Sequence, residues 1–71
     1  MTWYCVIDCP TFRILYHGND EQAAADISTA RTYTATADRY GTALSNAAIG
    51  AGCQSRGVPV PEFGPRERDA E

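Results

Sequence analysis

Apolar residues between positions 27 and 51 recur at steps of three or four. They are Ile27, Ala30, Tyr33, Ala37, Tyr40, Leu44, Ala47 and Ala51. This spacing places side chains on one face of an α-helix. A single helix from Asp20 to Ser55 would be about 54 Å long, roughly twice the diameter of a domain of this size. We therefore expect a short helix, a break in the threonine-rich segment, and a longer helix from about Ala37 to Arg56.

The threonine-rich segment leaves a second interpretation open. Thr32-Tyr33-Thr34-Ala35-Thr36 alternates polar and apolar positions and is rich in residues that favour strands. A third strand over residues 31–36 is therefore the alternative to a continued helical pattern.

The N-terminal part of the chain predicts a β-hairpin. Thr2 to Asp8 and Phe12 to Tyr16 are rich in aromatic and β-branched residues, and Cys9-Pro10-Thr11 interrupts the pattern between them. In the first run, Trp3, Cys5 and Ile7 share one face, and Tyr4 and Val6 share the other. Because a lone hairpin is marginally stable in water, we expect the helices to cover it.

Signals for the helix ends follow the hairpin. Asn19 is the expected N-cap of the short helix, with Gln22 bonding back to it. Gly57, followed by a valine and a proline, is a good C-cap for the long helix. In the long helix, small residues recur every four positions, which lets a neighbour approach closely; the two rows are Ala37, Gly41, Ser45 and Ala43, Ala47, Ala51.

These features predict one small α+β domain over residues 1–63, in which an N-terminal antiparallel hairpin packs against a short and a long helix. Residues 64–71 are charged, and we expect a disordered tail there. The chain has 71 residues, so its core is thin. Without a long apolar segment, it is expected to be cytoplasmic, with no membrane partner.

The charge balance argues against direct binding of nucleic acid. The chain has six arginines, no lysine and nine acidic residues, which gives a net charge of −3. The arginines are scattered, whereas binding to phosphates requires clustered cations. An acidic protein can instead bind the basic surface of another protein.

Three cysteines and one histidine supply the atoms of a zinc site. Cys5, Cys9, His17 and Cys53 lack the close pairing of ligands that structural zinc sites show at both ends. We therefore favour buried, reduced cysteines, no metal and no cofactor, and expect His17 in a turn. A disulfide, or a small zinc or redox protein using these four residues, remains the alternative.

No catalytic residues are predicted. Cys9 as nucleophile, with His17 and either Asp8 or Asp20, has the residue types of a catalytic site. A chain this short, however, seldom encloses such a site. The chain is therefore expected not to be an enzyme.

An exposed aromatic hairpin face rimmed by acidic residues is the predicted interaction surface. The predicted partner-binding residues are Asp8, Asp20, Glu21 and Asp26. A protein that binds and blocks a partner macromolecule is the favoured function, as a monomer or homodimer. A structural or assembly subunit that forms a homodimer is the alternative.

The hairpin of Trp3 to Tyr16, the acidic start Asn19-Asp20-Glu21 and the charged tail Arg66 to Glu71 loosely resemble small phage- or plasmid-borne anti-defence proteins of the anti-CRISPR type. They contain no family motif. The resemblance implies a non-enzymatic inhibitor of a nucleic-acid-binding effector, often acting through acidic residues that mimic phosphates. Strong DNA mimics of this type are more acidic than −3.

Overall fold

A computed structural model describes residues 1–61 and shows an α+β fold, a three-stranded antiparallel sheet with a short and a long helix. In chain order the elements are β1 (Trp3–Asp8), β2 (Arg13–Gly18), α1 (Glu21–Ile27), β3 (Thr32–Ala37) and α2 (Tyr40–Arg56). The predicted fold class, with its hairpin and its two helices, is confirmed. The predicted domain limit at residue 63 and the tail 64–71 lie outside the described residues.

The threonine-rich segment is a strand, so the alternative interpretation of residues 31–36 is the correct one. β3 pairs with β1, and the sheet order is β2-β1-β3. The helical interpretation of the apolar spacing was wrong here, because Tyr33 and Ala37 repeat with the period of a strand. The helix α2 begins only at Tyr40. The third strand gives β1 a second pairing partner, which stabilises a hairpin that would be only marginally stable alone.

The two faces of β1 separate as expected. Cys5 and Ile7 are fully buried on the face that α2 covers. Ala43, Ala47 and Ala51 of α2 pack against them with no exposed surface of their own. The predicted row of small residues through Ala43 therefore lies in the interface. The other row does not, because Gly41 and Ser45 are exposed.

The opposite face of the sheet is covered by α1. Val6 is fully buried there and pairs with Tyr16 on one side and Thr34 on the other. The backbone N–H of Asp20 donates to the Tyr16 hydroxyl at 3.0 Å. At the other end of the helix, the hydroxyls of Ser28 and Thr34 lie 2.9 Å apart. Both ends of α1 are therefore held to the sheet on the Val6 face.

The N-cap of α1 is one residue later than predicted. Asp20, not Asn19, accepts from the backbone N–H groups of Gln22 and Ala23, at 3.0 and 3.3 Å. The Gln22 side chain donates to Asp26 rather than bonding back to the cap. A carboxylate at the cap satisfies two N–H groups and lies favourably in the helix dipole, which explains the shift.

The long helix ends as the sequence indicates. Gly57 adopts a left-handed conformation with φ 70°, and the N–H of Val58 donates to the carbonyl of Cys53 at 3.0 Å. The last turn of α2 also contacts the hairpin loop, where the Ser55 hydroxyl donates to the Cys9 carbonyl. Within residues 1–61, no helix has the length and apolar character needed to cross a membrane.

Candidate partner-binding surface

The structure brings three of the four predicted acidic residues together on α1. Asp20 caps the helix, Glu21 begins it, and Asp26 lies in its last turn; all three are exposed. A helix of seven residues is about 10 Å long, so the three carboxylates are spread along one short helix.

Asp8 is on the same side of the sheet but already has side-chain partners. By strand alternation it shares the face of Val6, and its side chain is largely buried. The Thr11 hydroxyl donates to it at 2.6 Å, and the Arg31 guanidinium lies 3.6 Å from it. Because both of its carboxylate oxygens already have partners, Asp8 closes the hairpin loop rather than offering a free carboxylate.

The two helices carry opposite charges on opposite sides of the sheet. α1 contains no basic residue, and its N-cap is Asp20. α2 contains no acidic residue, and it has Arg39 as N-cap and Arg56 in its last turn. The acidic charge carried by the two helices therefore lies on α1.

The β2 edge, defined here as Arg13–Gly18, carries exposed apolar side chains. Ile14 is 52% exposed and Leu15 is 43% exposed. The register shifts where Leu15 lies, so this residue has no partner in β1. Phe12, 50% exposed, precedes the strand with φ 59°, a conformation that a bulky residue rarely adopts. Phe12 therefore contributes little to the core.

The four candidate zinc ligands do not converge. Over residues 1–61, which include all four, no group of three or more His, Cys, Asp or Glu side chains is placed to hold a metal ion. The three cysteines are free. Cys5 and Cys53 are buried, and Cys9 accepts a 3.5 Å contact from Gln54. The zinc and redox alternative has no geometric support in this part of the chain.

His17 joins β2 to the start of α2 instead of lying in a turn, so that expectation was wrong. Its ring stacks on Tyr40 with centroids 3.7 Å apart, and its Nε2–H donates to the Tyr40 carbonyl at 2.8 Å. Trp3 meets the same tyrosine edge-on, with centroids 5.3 Å apart. The imidazole is thereby occupied in packing, and the nucleophile of Cys9 and His17 is not assembled.

The thiols of Cys5 and Cys9 are not activated as nucleophiles. Burial raises the pKa of Cys5, and burial together with the neighbouring Asp8 carboxylate raises the pKa of Cys9. A raised pKa lowers the thiolate fraction at neutral pH, and the thiolate is the reactive form. Both groups therefore behave as small packing side chains.

Two parts of this surface were not predicted from the sequence. Arg31 was treated as one of several scattered arginines. Its side chain forms an ion pair with Asp8, and its carbonyl accepts from the Cys9 N–H at 2.9 Å. These two contacts close the end of the sheet. Ile14 and Leu15 on the β2 edge were not singled out as exposed. The contacts of Arg31 leave no local signal, because they depend on β3 pairing with β1.

Comparison with protein-family models, with curated proteins and with solved structures finds no match to this chain.

Proposed function

We propose that this chain is a non-enzymatic protein that binds a basic surface of a partner macromolecule and blocks it. The observation that carries the proposal is the separation of charge between α1 and α2. Complementary charge speeds the encounter of two proteins and orients them. Since α1 carries acidic and no basic side chains, whereas α2 carries no acidic ones, a basic partner is expected to approach α1 rather than α2.

The residues proposed to contact the partner are Glu21 and Asp26, with Asp20 adding charge while it caps the helix. Glu21 is exposed, and Asp26 uses one oxygen for Gln22 and keeps the other available. Asp8 is withdrawn from the binding set because Arg31 and Thr11 already engage it.

The proposed partner class is a nucleic-acid-binding effector. Such proteins hold phosphates with clustered arginine and lysine side chains, and carboxylates on a short helix fit the same cations. The proposal agrees with the resemblance to anti-CRISPR inhibitors, and α1 concentrates acidic charge that the modest net charge of −3 conceals.

A binding experiment tests the contact residues. Immobilised protein is used to capture basic nucleic-acid-binding proteins, and the wild type is compared with Glu21→Gln and with Asp38→Asn, which removes the same charge beside α2. We expect Glu21→Gln to weaken capture several-fold and Asp38→Asn to leave it unchanged. Equal loss in both variants would show that net charge, not the α1 surface, controls binding.

A functional experiment tests the blocking step. The chain is expressed in bacteria whose CRISPR system targets a phage, and plaques are counted. The proposal expects plaques with the wild type and fewer with Glu21→Gln/Asp26→Asn. Unchanged immunity across strains with different effector types would reject the anti-defence role, while the capture experiment would still decide binding.

A further inference from the structure

The two edges of the sheet differ in what they expose. β3 presents small polar side chains, with Thr34 and Thr36 exposed. The β2 edge presents Ile14 and Leu15, both about half exposed. Natural edge strands are usually protected by charges, yet β3 has none and β2 has only Arg13, at its start. What distinguishes β2 is its exposed apolar side chains, which pairing with another strand would cover.

The charges at the two ends of β2 indicate which strand fits. Arg13 begins the strand, and Asp20 and Glu21 follow closely after its end. When a strand pairs antiparallel with its own copy, its start lies opposite the end of the other strand. The arginine of each copy then lies near the carboxylates of the other, and this contact occurs twice in a symmetric dimer.

We propose that β2 pairs edge to edge with β2 of a second copy, which joins two three-stranded sheets into one of six strands. A register centred between Leu15 and Tyr16 places Arg13 opposite Gly18 of the second copy, two residues from its Asp20. Phe12, Ile14 and Leu15 of both copies are covered at the junction. Arg13 makes no ion pair with a side chain of residues 1–61, so its charge is available for this contact.

The size of the contact predicts a weak dimer. One strand edge and three apolar side chains per copy bury less than the roughly 800 Å² per partner of a standard stable interface. We expect a Kd on the order of 10–100 μM, in the range of transient association.

The dimer places both α1 helices on one side of the extended sheet, because a two-fold axis perpendicular to the sheet keeps equivalent faces together. The acidic surface is doubled, while the arginines of α2 remain on the other side. This consequence, unlike the dimer itself, rests on the function proposed above.

The mass of the purified chain in solution tests the dimer without any partner. Sedimentation equilibrium between about 5 μM and 1 mM is expected to show a mass that rises from 7.7 kDa towards twice that value. A constant monomer mass over this range would overturn the proposal and leave the binding of a basic partner untouched. A constant dimer mass would overturn the weak contact described here.

A charge exchange tests the proposed orientation. We expect Arg13→Glu and Glu21→Arg each to raise the Kd about tenfold, since each replaces two weak attractions by two repulsions. The double variant should return to within about threefold of the wild type. Arg56→Glu, the matched control on α2, should have no effect. Failure of the double variant to recover would refute the antiparallel pairing.

An apolar pair of variants tests the covered side chains. Ile14→Lys should abolish dimerisation, whereas Ile49→Lys on α2 should not, although Ile49 is exposed to a similar extent, 48%. Urea unfolding of each variant verifies that it remains folded. Equal effects of the two lysines would show that the β2 edge is not the interface.

Discussion

Gly50 lies where α2 crosses β3, and an alanine there should destabilise the protein. A Cβ added at Gly50 would lie 2.8 Å from Cδ2 of Tyr33 and closer still to two other ring atoms, all inside 3.0 Å. Alanine gains about 0.8–1 kcal/mol of helix propensity over glycine. Overpacking typically costs about 1–3 kcal/mol, and a rigid ring held on a strand relaxes little. We therefore expect a net loss of up to about 2 kcal/mol.

Gly52 supplies the matched control for this prediction. Its added Cβ would meet only the flexible Arg56 side chain, at 3.8 Å, so Gly52→Ala should stabilise the protein by up to about 1 kcal/mol. Urea denaturation measures both changes. With Tyr33→Ala in the background, Gly50→Ala should no longer destabilise, because the two residues are in contact. A Gly50→Ala variant as stable as Gly52→Ala would refute the packing of α2 on β3.

Three further predictions concern stability, and urea or thermal unfolding measures each. Asp20→Ala should cost about 0.5–2 kcal/mol, because the cap of α1 is lost; an unchanged midpoint would contradict this role. Arg39→Asp should stabilise by about 1 kcal/mol, since Arg39 makes no side-chain cap bond and its charge opposes the helix dipole; a loss would contradict this. The pKa values of Cys5 and Tyr33 are raised, chiefly by burial, above their ordinary values of 9.0 and 10.0. Above those values the unfolded chain releases protons that the folded chain retains, so stability should be fully present below pH 9 and fall as the pH rises beyond it. Flat stability up to pH 11 would contradict that linkage.

The hairpin and the long helix were predictable because their signals are local. The alternation from Trp3 to Ile7 assigned both faces of β1 correctly, and Gly57 marked the end of α2. The apolar pattern over residues 27–37 was ambiguous, since Tyr33 and Ala37 fit the period of a helix as well as that of a strand. Pairing with β1 decided the outcome, and pairing over long sequence separation leaves no local pattern.

The candidate surface was predictable only as a set of residue types. Asp20, Glu21 and Asp26 were chosen for their charge, and the structure places them on one short helix. Asp8 was chosen for the same reason, but its ion pair with Arg31 depends on how the α1–β3 connection meets the end of β1. The stacking of His17 on Tyr40 could not be predicted either, because 23 residues separate the two in the sequence.

The proposed contact of a basic partner with the α1 side of the sheet can be located directly. A short oligo-arginine peptide is a defined probe for it, and amide chemical shifts are followed by NMR during titration. We expect salt-sensitive shift changes concentrated at residues 20–28, with residues 40–56 little affected. Changes centred on α2, or spread evenly over both helices, would contradict it.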